Sequence, residues 1–177
     1  MKHFFRKLHS VFTPQRKREA THDQYGRSHA GVVECPQCHN VHFKKRWHAS
    51  LSALPEYKAG EAITMSAHET CPACTMIKTH RFEGEIFIEG FPEHLSAEML
   101  NMIRNFGETA TGQDPQDRII ATEKTPRGYR VTTTENQLAD RLAKKIKDAF
   151  NTVDLHFAHA AEPHEVVRIH VTFTGAK

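Results

Sequence analysis

The rhythm of hydrophobic and polar positions changes at Gly84. Beyond it the chain reads as regular elements. Glu85-Ile86-Phe87-Ile88-Glu89 is a short, strongly β run ended by Gly90. Ser96 is placed to cap a helix, and Met99, Leu100, Met102, Ile103 and Phe106 trace its apolar face up to an expected stop at Gly107. Residues 107–115 read as a polar loop. Strands are expected at 117–123 and 129–134, joined by Thr125-Pro126-Arg127-Gly128, whose Pro and Gly suit a type I turn. Thr134-Glu135-Asn136-Gln137 has the form of a capping box. The helix it opens runs to about Asn151, with Leu138, Leu142, Ile146, Ala149 and Phe150 facing inward. Strands at 153–157 and 166–173 follow, around the turn Glu162-Pro163-His164. The order is β-α-β-β-α-β-β, and its first six elements predict a ferredoxin-like, split βαβ domain over residues 83–177.

The first half is less regular. Phe4, Phe5, Leu8, Val11 and Phe12 fall on one helical face of a short basic stretch that Thr13-Pro14 ends. Residues 13–31 are polar and read as a basic linker, so 1–31 is expected to form a partly disordered arm. In 41–48 the side chains alternate as on one strand. His42, Lys44, Arg46 and His48 share one face, and Phe43, Lys45 and Trp47 share the other. A short helix around Leu51, Leu54 and Tyr57, cut by Pro55, and a returning strand over 60–65 lead to residues 75–82, which close a compact unit spanning 32–82.

That unit holds all four cysteines, in two hooks: Cys35-Pro36-Gln37-Cys38 and Cys71-Pro72-Ala73-Cys74. A C-x-x-C turn presents two thiolates to one cation, and two such turns supply the soft tetrahedral set that Zn²⁺ prefers. The 32 residues between the hooks exceed the ~15–20 of the commonest spacing, but a zinc ribbon with a long β-hairpin spans them. The expected architecture is therefore α+β, a small zinc ribbon followed by the ferredoxin-like domain, with one structural Zn²⁺ on Cys35, Cys38, Cys71 and Cys74. Three other uses compete for these thiols. A redox dithiol belongs at the head of a helix after a strand, whereas residues 40–48 after the first hook look like strand. Cys35-Pro36-Gln37-Cys38-His39 has the form of a c-type haem attachment, which requires export, and disulfides also belong to exported chains. Four cysteines would close the metal's coordination shell, and no deaminase or H-E-x-x-H pattern is present, so the metal is expected to be structural.

Charge adds a partner. Residues 1–50 carry ten Lys/Arg against three acidic residues, within a chain whose net charge is only +3. A basic arm on a near-neutral body suits a polyanion. Arg16, Lys17 and Arg18 in the arm, with Lys44, Lys45 and Arg46 on the ribbon, are the expected phosphate contacts, and Trp47 is the candidate for base stacking. No run approaches the ~20 apolar residues of a transmembrane helix, and the N-terminus lacks a signal-peptide core. With reduced cysteines, this predicts a cytoplasmic protein.

A zinc ribbon with Cys-Pro-x-Cys hooks, here Cys35, Cys38, Cys71 and Cys74, entering a small α/β domain through residues 82–90, resembles the N-terminal part of the Nmd family. Its members are adaptors of the large ribosomal subunit in archaea and eukaryotes, with short bacterial relatives. The resemblance spans roughly residues 30–175. This chain has one four-cysteine site where larger members carry more C-x-x-C pairs, so subunit export does not carry over. What the resemblance implies is association with the ribosome or structured RNA. The leading expectation is a non-enzymatic, zinc-stabilised RNA- or ribosome-binding protein. A zinc-ribbon module binding another protein in a transcription or stress complex is the alternative, and a Cys-Pro-x-Cys redox protein the second. No nucleophile elbow or phosphate-cradling glycine loop supports an enzyme.

Overall fold

The computed structural model describes residues 31–60, 62–150, 152–159 and 166–174. The expectations for the basic arm, including Arg16, Lys17 and Arg18, and for the turn at 162–164 lie outside the described residues. What is described is a mixed α+β structure with two sheets and four helices.

The larger sheet is built from β5 (Gly84–Glu89), β6 (Ile119–Thr125), β7 (Gly128–Thr133), β8 (Val153–His159) and β9 (Val167–Phe173), in the order β6-β7-β5-β9-β8. Alternation decides its faces. Ile86 and Ile88 of β5, Tyr129 and Val131 of β7, and Ile169, Val171 and Phe173 of β9 are buried on one side. Helix α4 (Asn136–Ala149) lays Leu138, Ala139, Leu142, Ala143 and Ile146 on that side, at the 3–4-residue spacing of one helical face. Ala149, expected inward, is exposed. Phe91, Phe150 and Phe173 meet edge-on, at centroid separations of 4.9–5.7 Å, and close one end of the core.

The element order agrees with the sequence pattern, but the strand order differs from the expected arrangement. A split βαβ sheet of six elements would set β8 against β5. Here β9 takes that place, parallel to β5, and β8 pairs with β9 at the edge. Burial explains the exchange. The inward positions of β9 include the fully buried Ile169 and Val171, while β8 carries Asp154, His156 and a partly exposed Phe157. The more apolar strand of the pair sits inside.

Helix α3 (Ser96–Gln113) also corrects an expectation. It does not stop at Gly107 but runs six residues further, through the segment read as a loop. Gly107 is buried, and a Cβ there would lie 2.8 Å from Ile119 Cδ1, so the residue marks a close approach of α3 to β6. Thr134 is not the cap of α4. The N-cap is Glu135, without a side-chain bond. The Thr134 hydroxyl instead donates to Gln116 O at 2.7 Å and accepts from Arg118 N at 2.9 Å, fixing the turn before β6.

The smaller sheet contains β1 (Val32–Glu34), β2 (Val41–Phe43), β3 (Arg46–His48) and β4 (Met65–His68), in the order β3-β2-β1-β4. The single strand expected over 41–48 is a hairpin. Lys44 and Lys45 form its tip, both with positive φ (47° and 67°), the signature of a type I′ turn, and the chain reverses between Phe43 and Arg46. Beneath it Val32, Val41 and Leu54 are buried, with Phe43, Leu51 and Ile63 packed around them. Leu54 lies between a single 3₁₀ turn (Leu51–Ala53) and the one-turn α1 (Pro55–Lys58). The returning strand begins only at Met65. The second hook opens helix α2 (Pro72–Thr79), within the stretch expected to close the unit. No helix among the described residues is long and apolar enough to cross a membrane.

Candidate metal centre

Pairing of β1 with β4 is parallel, with Glu34 opposite His68. Both strands therefore deliver the chain to the same end of the sheet, and the two hooks begin there. In the first hook, Cys35 N donates to Asn40 O at 2.8 Å and His39 N donates to Cys35 O at 2.9 Å. His39 takes a left-handed φ of 60° to complete this tight loop between β1 and β2. The second hook is a helix start. Cys71 is the N-cap of α2, Pro72 occupies the first helical turn, and Cys74 N donates to Cys71 Sγ at 3.4 Å. Cys71 N in turn donates to Cys35 Sγ at 3.3 Å, tying the two hooks together.

The four sulfurs lie within 4.8 Å of one another, and none is in a disulfide. Cys38 Sγ and Cys71 Sγ are 3.7 Å apart. A tetrahedron with metal–sulfur bonds of ~2.3 Å has sulfur–sulfur edges of about 3.8 Å, so this donor set fits a metal ion. Cys35 and Cys71 are fully buried, Cys74 is nearly so, and Cys38 is half-buried. Burial works to raise the Cys35 pKa, but the N–H groups of Cys71, Gln37 and Cys38 outweigh it and bring the thiol down to about 6. Burial raises Cys71 and Cys74, and the neighbouring thiols push Cys74 up further. Cys71 and Cys74 therefore resist becoming thiolates beside the neighbouring sulfurs. A divalent cation among them removes that conflict.

Part of the shell around the sulfurs comes from the α/β half of the chain. Arg118, just before β6, places Nη1 3.8 Å from Cys74 Sγ and anchors Nε on Pro115 O at 2.9 Å. Burial acts to lower its pKa, but the surrounding Cys38, Cys74 and Cys71 raise it on balance. Asn40, with its carboxamide oxygen toward Arg118, accepts from Nη2 at 2.8 Å and donates to Ala49 O at 3.3 Å. Gln116 Oε1 accepts from Ala73 N, inside the second hook, at 3.1 Å. The expected boundary between ribbon and α/β domain is thus a hydrogen-bonded seam. Nothing in the local sequence around Arg118 or Gln116 marks them, because each lies more than 40 residues from the hook it touches.

The histidines near the hooks are otherwise engaged. His39 Nδ1 pairs with Glu34 at 2.8 Å, His68 lies 4.0 Å from the same carboxylate, and the His42 ring tilts against Trp47 at 5.2 Å. Trp47 itself packs on the cysteine cluster. Of the expected phosphate contacts, Lys44 is tied to Glu56 in an ion pair and lies 5.2 Å from the Phe43 ring centroid. Lys45 and Arg46 form no ion pair with a described residue, and Arg46 is exposed. The hairpin therefore places Lys45 and Arg46 next to Trp47, which packs on the cysteines, and takes Lys44 out of the set.

Comparison with protein-family models and with characterised proteins found no match.

Proposed function

We propose that the chain is a non-enzymatic RNA-binding protein of the cytoplasm, associated with the ribosome, whose hooks hold one structural zinc ion. Four thiolates with no carboxylate or free imidazole among them favour zinc over harder cations, and a closed shell of four leaves no position for a reacting water. The observation that carries RNA binding is the hairpin tip. Lys45 and Arg46, free of ion pairs with described residues, stand beside the only tryptophan of the chain, on a strand held against the cysteine cluster. Exposed cations beside an aromatic ring suit phosphates and bases together. Arg16, Lys17 and Arg18 would add affinity through counterion release. The resemblance to ribosomal-subunit adaptors points the same way.

The test is sedimentation of the native protein through a sucrose gradient at low and moderate salt, with and without nuclease. Salt-sensitive co-migration with one ribosomal subunit is the expected result. A complex that survives nuclease would turn the hairpin into a protein-binding surface instead.

One observation favours a redox protein. Cys71 stands at the head of α2 after a strand, the place of a redox dithiol, although burial raises its thiol and that of Cys74. Against it, each hook faces the other rather than solvent. Metal analysis separates the two. One zinc per chain with thiols slow to modify supports the structural site, and metal-free protein with a fast-reacting pair supports redox chemistry.

A further inference from the structure

Between the hairpin and the α/β domain lies a cleft of about 440 Å³, within the ~300–1,000 Å³ usual for ligand sites. Its two walls differ in chemistry. One is formed by Lys45, Arg46 and Trp47 of the hairpin. The other is the C-terminal end of α3 with the turn after it, including Gly112 and Asp114. The last intrahelical bond of α3 runs from Asp114 N to Ala110 O, so the carbonyls of Thr111, Gly112 and Gln113 have no partner within the helix. They carry the negative end of the helix dipole. The Asp114 carboxylate adds to this wall, with Oδ1 accepting from Gln116 N at 2.9 Å. Cations and a flat ring thus face hydrogen-bond acceptors.

A bare phosphate would satisfy only the first wall, and an acidic peptide would set carboxylates against Asp114. A nucleotide answers both: an anionic end, a ring that stacks, and a base edge with exocyclic N–H donors. We propose that this cleft takes one unpaired nucleotide of an RNA strand, its phosphate at Lys45 and Arg46, its base against Trp47 and its amino edge toward Asp114. The inference rests on the RNA-binding function proposed above and gives it a site that both domains build. Because Trp47 is already packed on the cysteine cluster, its ring is held in place before the base arrives. Adenine and cytosine, which carry exocyclic amines, are favoured over uracil.

The sole tryptophan makes the test direct. The zinc-loaded full chain is titrated with oligo(C), oligo(A) and oligo(U) octamers, following Trp47 emission and, separately, the anisotropy of labelled octamers. Quenching is expected to track binding, with oligo(C) and oligo(A) ahead of oligo(U). The double variant Lys45→Ala/Arg46→Ala should bind at least 10-fold more weakly. Its slope of log affinity against log salt should flatten by about 0.7, the value for one phosphate of a single strand left without its cations. Asp114→Asn keeps a side-chain oxygen for Gln116 N and should narrow the preference for oligo(C) over oligo(U). Binding by anisotropy without a change in Trp47 emission, and unaffected by the double variant, would overturn the site while leaving RNA binding standing elsewhere. No binding of any octamer or of ribosomal RNA would overturn both. Equal quenching by an oligoglutamate peptide would make this an acidic-peptide site and overturn the nucleotide.

Discussion

Arg118 sets its guanidinium 3.8 Å from the Cys74 sulfur, across 44 residues of sequence and from the opposite domain. A divalent ion on four thiolates leaves a net charge of −2 on the cluster. Arg118 supplies a fixed positive charge beside it, and its other nitrogens engage Pro115 and Asn40, one from each side of the seam.

From this pairing, Arg118→Ala should weaken zinc binding about 10- to 100-fold in chelator competition, the usual loss when a ligand's outer partner is removed. Arg118→Lys should restore part of it, keeping the charge but not the forked donors. The seam should loosen as well, read as faster amide exchange at Ala73, whose N–H is held by the neighbouring Gln116. Unchanged affinity in both variants would make the contact incidental.

Removal of the metal should act on one half of the molecule. Among the described residues, the module under β1–β4 buries only the apolar side chains of Val32, Val33, Val41 and Leu54 apart from its cysteine cluster, too small a core to hold without a staple. The five-stranded sheet keeps its own core around Ile86, Ile88, Leu142 and Ile169. A strong chelator should red-shift Trp47 emission as its packing on the cysteines is lost, while amide protection in β5, β7 and β9 persists. Loss of protection in both sheets together would show that the seam makes them one cooperative unit.

How much of this was legible in the sequence depended on the range of each contact. The cysteine hooks could be paired because C-x-x-C geometry is local and four thiols have few other uses in a chain read as cytoplasmic. The helices and strands after Gly84 announced themselves by period. What failed depended on tertiary context. Nothing near Thr75-Met76-Ile77 announces the helix that Cys71 caps. The Lys44–Lys45 turn lacks the Asn and Gly that usually mark type I′, and left-handed φ costs roughly 1–2 kcal/mol per residue there. The ion pair of Lys44 with Glu56 and the facing of His42 with Trp47 act in the other direction. The parallel pairing of β1 with β4, which brings the hooks together, involves strands too short to predict.

Glu135 gives a pH dependence with a definite sign. Burial, then Glu83, Asp117 and Asp114, push its carboxyl from the ordinary 4.5 up to about 6. A folded pKa above the unfolded one means that the charged form is the disfavoured one in the fold. The stability associated with this group is fully present below pH ~4.5 and is lost as pH rises through about 6. Glu135→Gln should therefore raise the melting temperature at pH 7, with the difference from the parent vanishing at about pH 4.5. Comparison of the two proteins at each pH cancels the separate effect of acid on the cysteine cluster. A variant equally displaced at both pH values would trace its effect to something other than this charge.

The glycines separate backbone demand from mere composition. Gly128 opens β7 with φ of +149°, and a Cβ there would fall on the Ile88 carbonyl oxygen at the end of the β5–β7 ladder. Backbone on both sides leaves nothing flexible to yield, so Gly128→Ala should cost more than the ~1–2 kcal/mol of left-handed strain alone and lower the melting temperature by several degrees. Gly112, in the last turn of α3, has nothing within 4 Å of a built Cβ and no positive φ. Gly112→Ala should stabilise the protein by up to ~1 kcal/mol through helix propensity. Thermal unfolding of the two variants side by side checks the β6–β7 turn and the extended α3 together. A destabilised Gly112→Ala would mean that the helix ends near Gly107 after all, and a tolerated Gly128→Ala would mean that β7 does not lie as close to Ile88 as its register requires.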